Sequence, residues 1–284
     1  VTGIAKDFKK VRFWKKFLVH GFSALGVFAV ALELAGWVLG GAFDPKGWPL
    51  FTIISIFSAA YGLYKAWPRP ISYQLSAPNT LIRIIEDDLF SMDSDLVIGM
   101  TDTFDTSTPN IIAPGSVQAQ MTSRLFDGDV SALDGEIALA LQGKPKVGTI
   151  SKHGKTDKYG LGAVATLVSR GKKLYLLAYT EMDSQNVAHA TPDGLWRSLE
   201  TLWSVVSDTG NGRALSMPVI GQGQSRLSPV MPAQDSIRLT LLSFIFASRR
   251  RRVCEELTIV VRAGDYDKLD HLELQAFIRS LQPS

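Results

Sequence analysis

Cysteine is nearly absent: Cys254 is the only one among 284 residues. That excludes an internal disulfide and a metal centre built from a cysteine cluster. Histidine is scarce as well. His20, His153, His189 and His271 are scattered without ligand spacing, so no metal site is expected. No strong excess of charge of one sign exists either, since 30 basic residues face 27 acidic ones for a formal net charge of +3. Much of that excess lies near the N-terminus, which favours anionic lipid head groups as its partner and argues against nucleic acid. The GxSxG nucleophile motif is missing, as is any histidine-paired nucleophile, so no catalytic residue is assigned. No internal repeat or low-complexity tract occurs.

What the chain does have is two long apolar runs. Residues 17–43 read FLVHGFSALGVFAVALELAGWVLGGAF, and residues 48–64 read WPLFTIISIFSAAYGLY. A helix needs about 20 apolar residues to cross the ~30 Å hydrocarbon core. The first run is long enough; the second is near the lower limit and suffices if Lys65 snorkels and Trp67 sits at the interface. Trp14, Trp37, Trp48 and Trp67 fall near the segment ends, where an aromatic belt places them. Asp44-Pro45-Lys46-Gly47 is turn chemistry, so the expected arrangement is a two-helix transmembrane hairpin over residues 17–67. Lys6, Lys9, Lys10, Arg12, Lys15 and Lys16 crowd a basic flank at 1–16, and Lys65 and Arg69 follow the second run. The positive-inside rule then places both termini in the cytoplasm and the turn outside, giving a two-pass membrane protein. A signal peptide and a buried soluble hairpin are the competing readings. The run is too long for the ~7–15-residue core of the former, and the latter needs cover on every side.

Glu33 is the one carboxylate in the first run. Near mid-membrane it either faces water or other helices, as a pore-lining or oligomer-contact residue, or snorkels towards an interface. The small residues Gly21, Ala24, Gly26, Ala29, Gly36, Gly40 and Gly41 permit close helix packing.

After the stiff linker at 68–71, residues 72–284 read as one α/β domain: about 210 residues suffice for one such domain and not for two ordinary ones. Strands are predicted at 72–76, 81–85, 95–99, 161–168, 173–179, 215–220 and 257–262. Helices are predicted at 116–126, 131–141, 191–207, 233–248 and 269–281. Thr191 suits an N-cap and Pro192 the first turn. The segment 145–157 is read as an exposed loop. This alternation predicts a mixed sheet with helices on both faces, and ligands then bind outside the carboxyl ends of the strands.

Three loops fit that rule. Glu86-Asp87-Asp88-Leu89-Phe90 follows a strand, and its acids serve either a helix N-cap or an adenine amino group or ribose hydroxyl. Met100-Thr101-Asp102-Thr103-Phe104-Asp105-Thr106 lines a ribose site or simply turns. Gly221-Gln222-Gly223-Gln224-Ser225-Arg226-Leu227 runs on from a strand. Its glycines let backbone N–H groups cradle a diphosphate, and Arg226 adds charge. It lacks the third glycine of the dinucleotide fingerprint and the Lys-Ser/Thr of a P-loop, so ATP hydrolysis is not supported. Arg249-Arg250-Arg251-Arg252 is either a solvated helix C-cap or a lipid contact.

IRIIEDDLF, VIGMTDTFDT, IIAPGSVQAQM, YGLGAVATLV, LYLLAYTEMDSQNVAHAT and MPVIGQGQSRL occur here in an order that resembles the macro domain of Thoeris antiphage defence effectors. With the apolar segment in front, the whole chain resembles the transmembrane–macro effectors of that system. The resemblance implies a three-layer α/β/α macro fold with a mixed sheet behind the hairpin. It places Asp88 near adenine, with Leu89 beside it among the ligand-binding residues, Thr101 to Thr106 with Gly115 and Ser116 at the distal ribose, Gly221 to Leu227 at the diphosphate, and Asn186 in a family-like segment. It implies no cofactor and a small-molecule partner, an ADP-ribose derivative such as histidine-ADP-ribose made by a TIR-domain enzyme. It also implies a place in the bacterial inner membrane and damage to that lipid bilayer, and since two helices per chain cannot enclose a pore, self-association is expected. The asparagine-rich loop of hydrolytic macro domains is replaced by Met100 to Thr106, so a non-enzymatic sensor is expected. A membrane-anchored ADP-ribosyl hydrolase and a passive nucleotide-binding scaffold are the alternatives.

Overall fold

A computed structural model describes residues 11–39, 47–66, 71–76, 79–223 and 225–281. Most of the basic flank, Gly40, Gly41, the turn at 44–46, Trp67 with the linker residues 68–70, and Gln224 lie outside the described residues. The chain divides into two compact units, 1–69 and 70–284.

The first unit holds α1 (Val11–Leu39) and α2 (Trp48–Ala66). At 1.5 Å per residue they measure about 43 and 28 Å. They pack through small residues. A Cβ on Gly62 would stand 2.9 Å from the Phe17 carbonyl oxygen, and one on Gly21 would stand 3.6 Å from that of Ser58. The outward surface is apolar, with Phe22, Val27, Leu34 and Trp37 exposed on α1 and Ile56 and Phe57 on α2. Glu33 is exposed on α1. The α1 segment Phe13–Val38 is long and apolar enough to cross a membrane, and its most apolar stretch is unburied.

The second unit is built on a mixed sheet. Its strands are β1 (Ile71–Ser76), β2 (Asn79–Glu86), β3 (Asp95–Thr101), β4 (Gly148–Thr149), β5 (Asp157–Lys158), β6 (Val164–Ser169), β7 (Lys172–Met182), β8 (Ala188–His189), β9 (Leu215–Pro218) and β10 (Glu256–Val261). The order is β1-β2-β10-β9-β3-β7-β6, with β8 added to β7 and with β4-β5 as a separate pair. The central strands β2, β10, β9, β3 and β7 are parallel, while β1 and β6 run antiparallel at the edges. All central strands therefore end on one side, where a ligand is expected.

Helices cover both faces. On one lie α3 (Val117–Leu125) and α4 (Val130–Leu141), packed on Leu96, Ile98, Met100, Leu174 and Leu176. On the other lie α5 (Pro192–Thr209), α6 (Ala233–Arg250) and α8 (His271–Ser280), with the short α7 (Ala263–Tyr266) between the last two. Their shared core holds Val97, Leu199, Trp203, Leu241, Phe244, Ile259 and Leu274. Trp203 is wholly buried, and its indole N–H donates to Ser243 Oγ at 3.0 Å, which removes the cost of burying that donor. Thr191 caps α5 by accepting from the Gly194 N–H, and Pro192 opens the first turn.

The segment 145–157, expected as a plain loop, contains β4 and pairs back through β5. These two-residue strands are too short for alternation to reveal them. Strand β6 starts only at Val164, because Gly160 and Gly162 hold positive φ just before it. Strand β7 continues to Met182, past the expected end, because it goes on to pair with β8.

Candidate functional site

A cleft of about 470 Å³ opens over the carboxyl ends of β3, β7, β9 and β10. One wall is the glycine loop after β9. Gly221 has φ +88, and a Cβ there would come within 2.8 Å of Leu227 Cδ2, so the position requires glycine. Leu227 is buried behind it as the hydrophobic anchor of the loop. Ser236 Oγ donates to the Ile220 carbonyl at 2.5 Å, and Ser228 Oγ donates to the Gly221 carbonyl at 3.1 Å. These bonds fix the loop's entry and leave Gln222, Gly223, Ser225 and Arg226 along the cleft.

The floor is Tyr179, which passes over Gly99. A Cβ on Gly99 would stand 2.5 Å from Tyr179 Cε1, so only glycine lets the ring lie there. Burial pushes the Tyr179 phenol above its ordinary value, while the nearby Ser225 side chain and Gly221 backbone pull partly the other way. Ser225 Oγ is itself buried, with no partner in full hydrogen-bonding geometry among the described residues. The opposite end is closed by Ile111, Ile112 and Met182 and by the β7–β8 connection. There Asp183 accepts from the N–H groups of Gln185 and Val187 and pairs with His189 at 2.9 Å. The Val187 hydrogen bond, then His189, hold its carboxyl below the usual range. The turn so built holds Asn186 at φ 58, with its Oδ1 buried and without a hydrogen-bond partner among the described residues.

Thus Thr101, Ser116, Asn186, Gly221, Gln222, Gly223, Ser225 and Arg226 line the cleft. The other described candidates lie elsewhere. Leu89 is buried in the core beneath α3 and α4. Asp88 caps a 3-10 turn through the Phe90 N–H at 3.1 Å and binds Arg124 with its other oxygen. Gly115 is outside the lining but offers its carbonyl to Arg262 at 3.4 Å.

The loop after β3 turns inward. Asp102 accepts from the Met182 N–H at 2.9 Å and pairs with Lys158 at 3.1 Å. Thr101 and Thr103 are linked at 3.1 Å, and Thr103 donates to Asp105 at 2.5 Å. Asp105 pairs with Lys152 at 2.7 Å, both side chains almost wholly buried. Thr106 donates to Asp134 at 2.7 Å, and Phe104 packs edge-on against Tyr159. The loop's acids are engaged by lysines of the 152–158 segment, and only Thr101, at its start, reaches the cleft. Serine 116, by contrast, both lines the cleft and caps α3 by accepting from the Ala119 N–H.

Sequence reasoning had not singled out Tyr179, Arg262 or Asp265, all of which line the cleft. Arg262 and Asp265 follow β10 directly, so the strand-end rule pointed to them. Arg226 and Arg262 have no ion-pair partner among the described residues, whereas Asp265 has Lys268 at 3.0 Å. The unpaired charge of the lining is therefore positive and suits an anionic ligand. Among the described residues no group of three or more His, Cys, Asp or Glu could hold a metal ion.

A mixed sheet between two helical layers, with a glycine loop over its carboxyl edge, defines a macro-type domain. The Oceanobacillus iheyensis macrodomain with ADP is similar at a TM-score of 0.51 and 13% identity, over 75% of this chain and 100% of that one. A mutant of that macrodomain with ADPR is similar at a TM-score of 0.52 and 11% identity, with the same coverage. No curated protein matches the chain. Residues 82–262 match the family model of the Thoeris protein ThsA macro domain, and the chain belongs to that family.

Proposed function

We infer that this chain is a ligand-gated membrane effector of antiphage defence and not an enzyme. Its cleft takes an ADP-ribose-derived signal, such as histidine-ADP-ribose made by a TIR-domain partner. The observation that carries this reading is the cleft itself: a glycine loop, two rim arginines without ion pairs among the described residues, and two buried polar atoms, Ser225 Oγ and Asn186 Oδ1, without hydrogen-bond partners among them. Buried polar groups are nearly always satisfied, so orphans lining a cleft favour a ligand that completes them. The macrodomain structures that hold ADP and ADPR support the nucleotide class.

The output is assigned to the first unit. Helix α1 is long and apolar enough to span a bilayer, and α2, about 28 Å long, forms the second pass of a hairpin with both termini in the cytoplasm. Two helices cannot enclose a pore, so several chains associate, and Glu33 meets other helices or water within that assembly. Ligand binding favours the arrangement that breaches the membrane. Shifting such an equilibrium from 1:99 to 99:1 needs about 10⁴-fold tighter binding to the active state.

The test is release of a dye from vesicles carrying the full chain when ADP-ribose or its histidine conjugate is added. Ligand-dependent release supports the reading. Release without ligand, or none with either compound, contradicts it.

A further inference from the structure

The Thr101 hydroxyl, in the cleft lining, ends a chain of hydrogen bonds that starts at a buried lysine. Lys152 Nζ donates to Asp105 Oδ2 at 2.7 Å, and both side chains are almost wholly excluded from solvent. Thr103 Oγ1 donates to the same oxygen at 2.5 Å, and it stands 3.1 Å from Thr101 Oγ1. Thr101, Thr103 and Asp105 are all buried. The segment that carries Lys152 is seated closely on this group. Gly154 has φ +92, and a Cβ there would stand 2.5 Å from Asp105 Oδ1 and 2.4 Å from Cδ1 of Ile111, a residue of the cleft's end wall. The Lys155 N–H donates to Asp105 Oδ1 at 2.8 Å.

The direction of each bond follows from counting protons. A hydroxyl has one proton to give and two lone pairs. Asp105, a carboxylate paired with the Lys152 ammonium, only accepts, so the Thr103 proton goes to it. Thr103 has none left, and the contact at 3.1 Å is made by the Thr101 proton. Thr101 Oγ1 makes no other hydrogen bond among the described residues, so it has lone pairs to offer the cleft and no proton. Burial strengthens such a chain, because each donor polarises the next.

We propose that Thr101 is a specificity-determining residue that accepts a hydrogen bond from the ligand, and that Thr103, Asp105 and Lys152 are positioning residues that hold its hydroxyl in that sense. This rests on the nucleotide reading of the cleft and adds to it the polarity of one contact. The ligand group over the end of β3 must then carry a proton to give: a sugar hydroxyl, or the ammonium of an attached amino acid. A carbonyl or carboxylate in that place would set two acceptors against each other and is disfavoured.

The test is calorimetric titration of the full chain in detergent with ADP-ribose and with histidine-ADP-ribose. Thr101→Val keeps the shape of the side chain and removes the acceptor, so binding should weaken about tenfold, the worth of one good hydrogen bond. Equal weakening for both compounds assigns the donor to a sugar hydroxyl; weakening of the conjugate alone assigns it to the ammonium. Thr103→Val leaves the Lys152–Asp105 pair in place but frees the Thr101 proton to turn towards the ligand, and should weaken the same compound about threefold. Thr103→Ser should bind as the parent does. In the Thr101→Val background Thr103→Val should add no further loss. Unchanged binding of both compounds in Thr101→Val overturns the proposal. Equal losses from Thr103→Val in both backgrounds also overturn it, since they would mark Thr103 as a structural residue only. If neither compound binds the wild type, the nucleotide reading itself fails and this proposal falls with it.

Discussion

The Lys152–Asp105 pair gives the sharpest stability prediction. Their side chains are 0% and 1% exposed and meet at 2.7 Å. Asp105 has further donors, Thr103 Oγ1 at 2.5 Å and the Lys155 N–H at 2.8 Å, so its charge is held from several sides. Replacing Lys152 with Met removes the countercharge and leaves the carboxylate buried. Breaking a buried pair from one side costs roughly 3–5 kcal/mol. For a domain of this size each kcal/mol shifts the midpoint by about 2–4 °C, so Lys152→Met should lower it by about 6–20 °C. The double variant Lys152→Met/Asp105→Asn should recover much of the loss, since no charge then stays buried. The assay is thermal unfolding of the full chain in detergent, followed by near-ultraviolet circular dichroism. A single variant within about 2 °C of the parent would refute the burial argument, and so would a double variant worse than the single.

Ser225→Ala should weaken ADP-ribose binding by about three- to tenfold while leaving the unfolding midpoint close to parental, as calorimetric titration and thermal unfolding would show, because Ser225 Oγ has no hydrogen-bond partner to lose among the described residues. Asn186→Ala should weaken binding comparably and also lower the midpoint, because φ 58 is a conformation that Asn tolerates and Ala does not. Gly221→Ala should destabilise by about 1–2 kcal/mol from its positive φ alone, more with the Leu227 contact, and should weaken binding too; denaturant unfolding measures it. Burial pushes the Cys254 thiol up to about 12 and keeps it neutral at physiological pH, so native protein should resist a thiol reagent that labels it fully after unfolding.

Periodicity made the framework legible. The helix at 191–207 declared itself through Thr191, Pro192 and the stripe Leu195, Leu199, Leu202 and Trp203, all of which the structure buries or uses as caps. The glycine loop was legible because a strand ran directly into Gly221, where only glycine fits. The loop after β3 misled for a physical reason. Threonines and aspartates that are suited to a ribose are equally suited to one another, and which they bind depends on Lys152, Lys155 and Lys158, lysines far along the chain. Such pairing leaves no local pattern. Arg262 and Asp265 left no comparable signal, because they simply follow a buried strand and no dense run of polar residues marks them.

The central claim is that the cleft over the sheet's carboxyl edge binds an ADP-ribose-type nucleotide. Isothermal titration of ADP-ribose into the full chain in detergent tests it most directly, with Ser225→Ala alongside. The account predicts saturable binding of one ligand per chain, weakened in the variant. Absence of saturation at about 1 mM ligand, or identical binding by parent and variant, would contradict it.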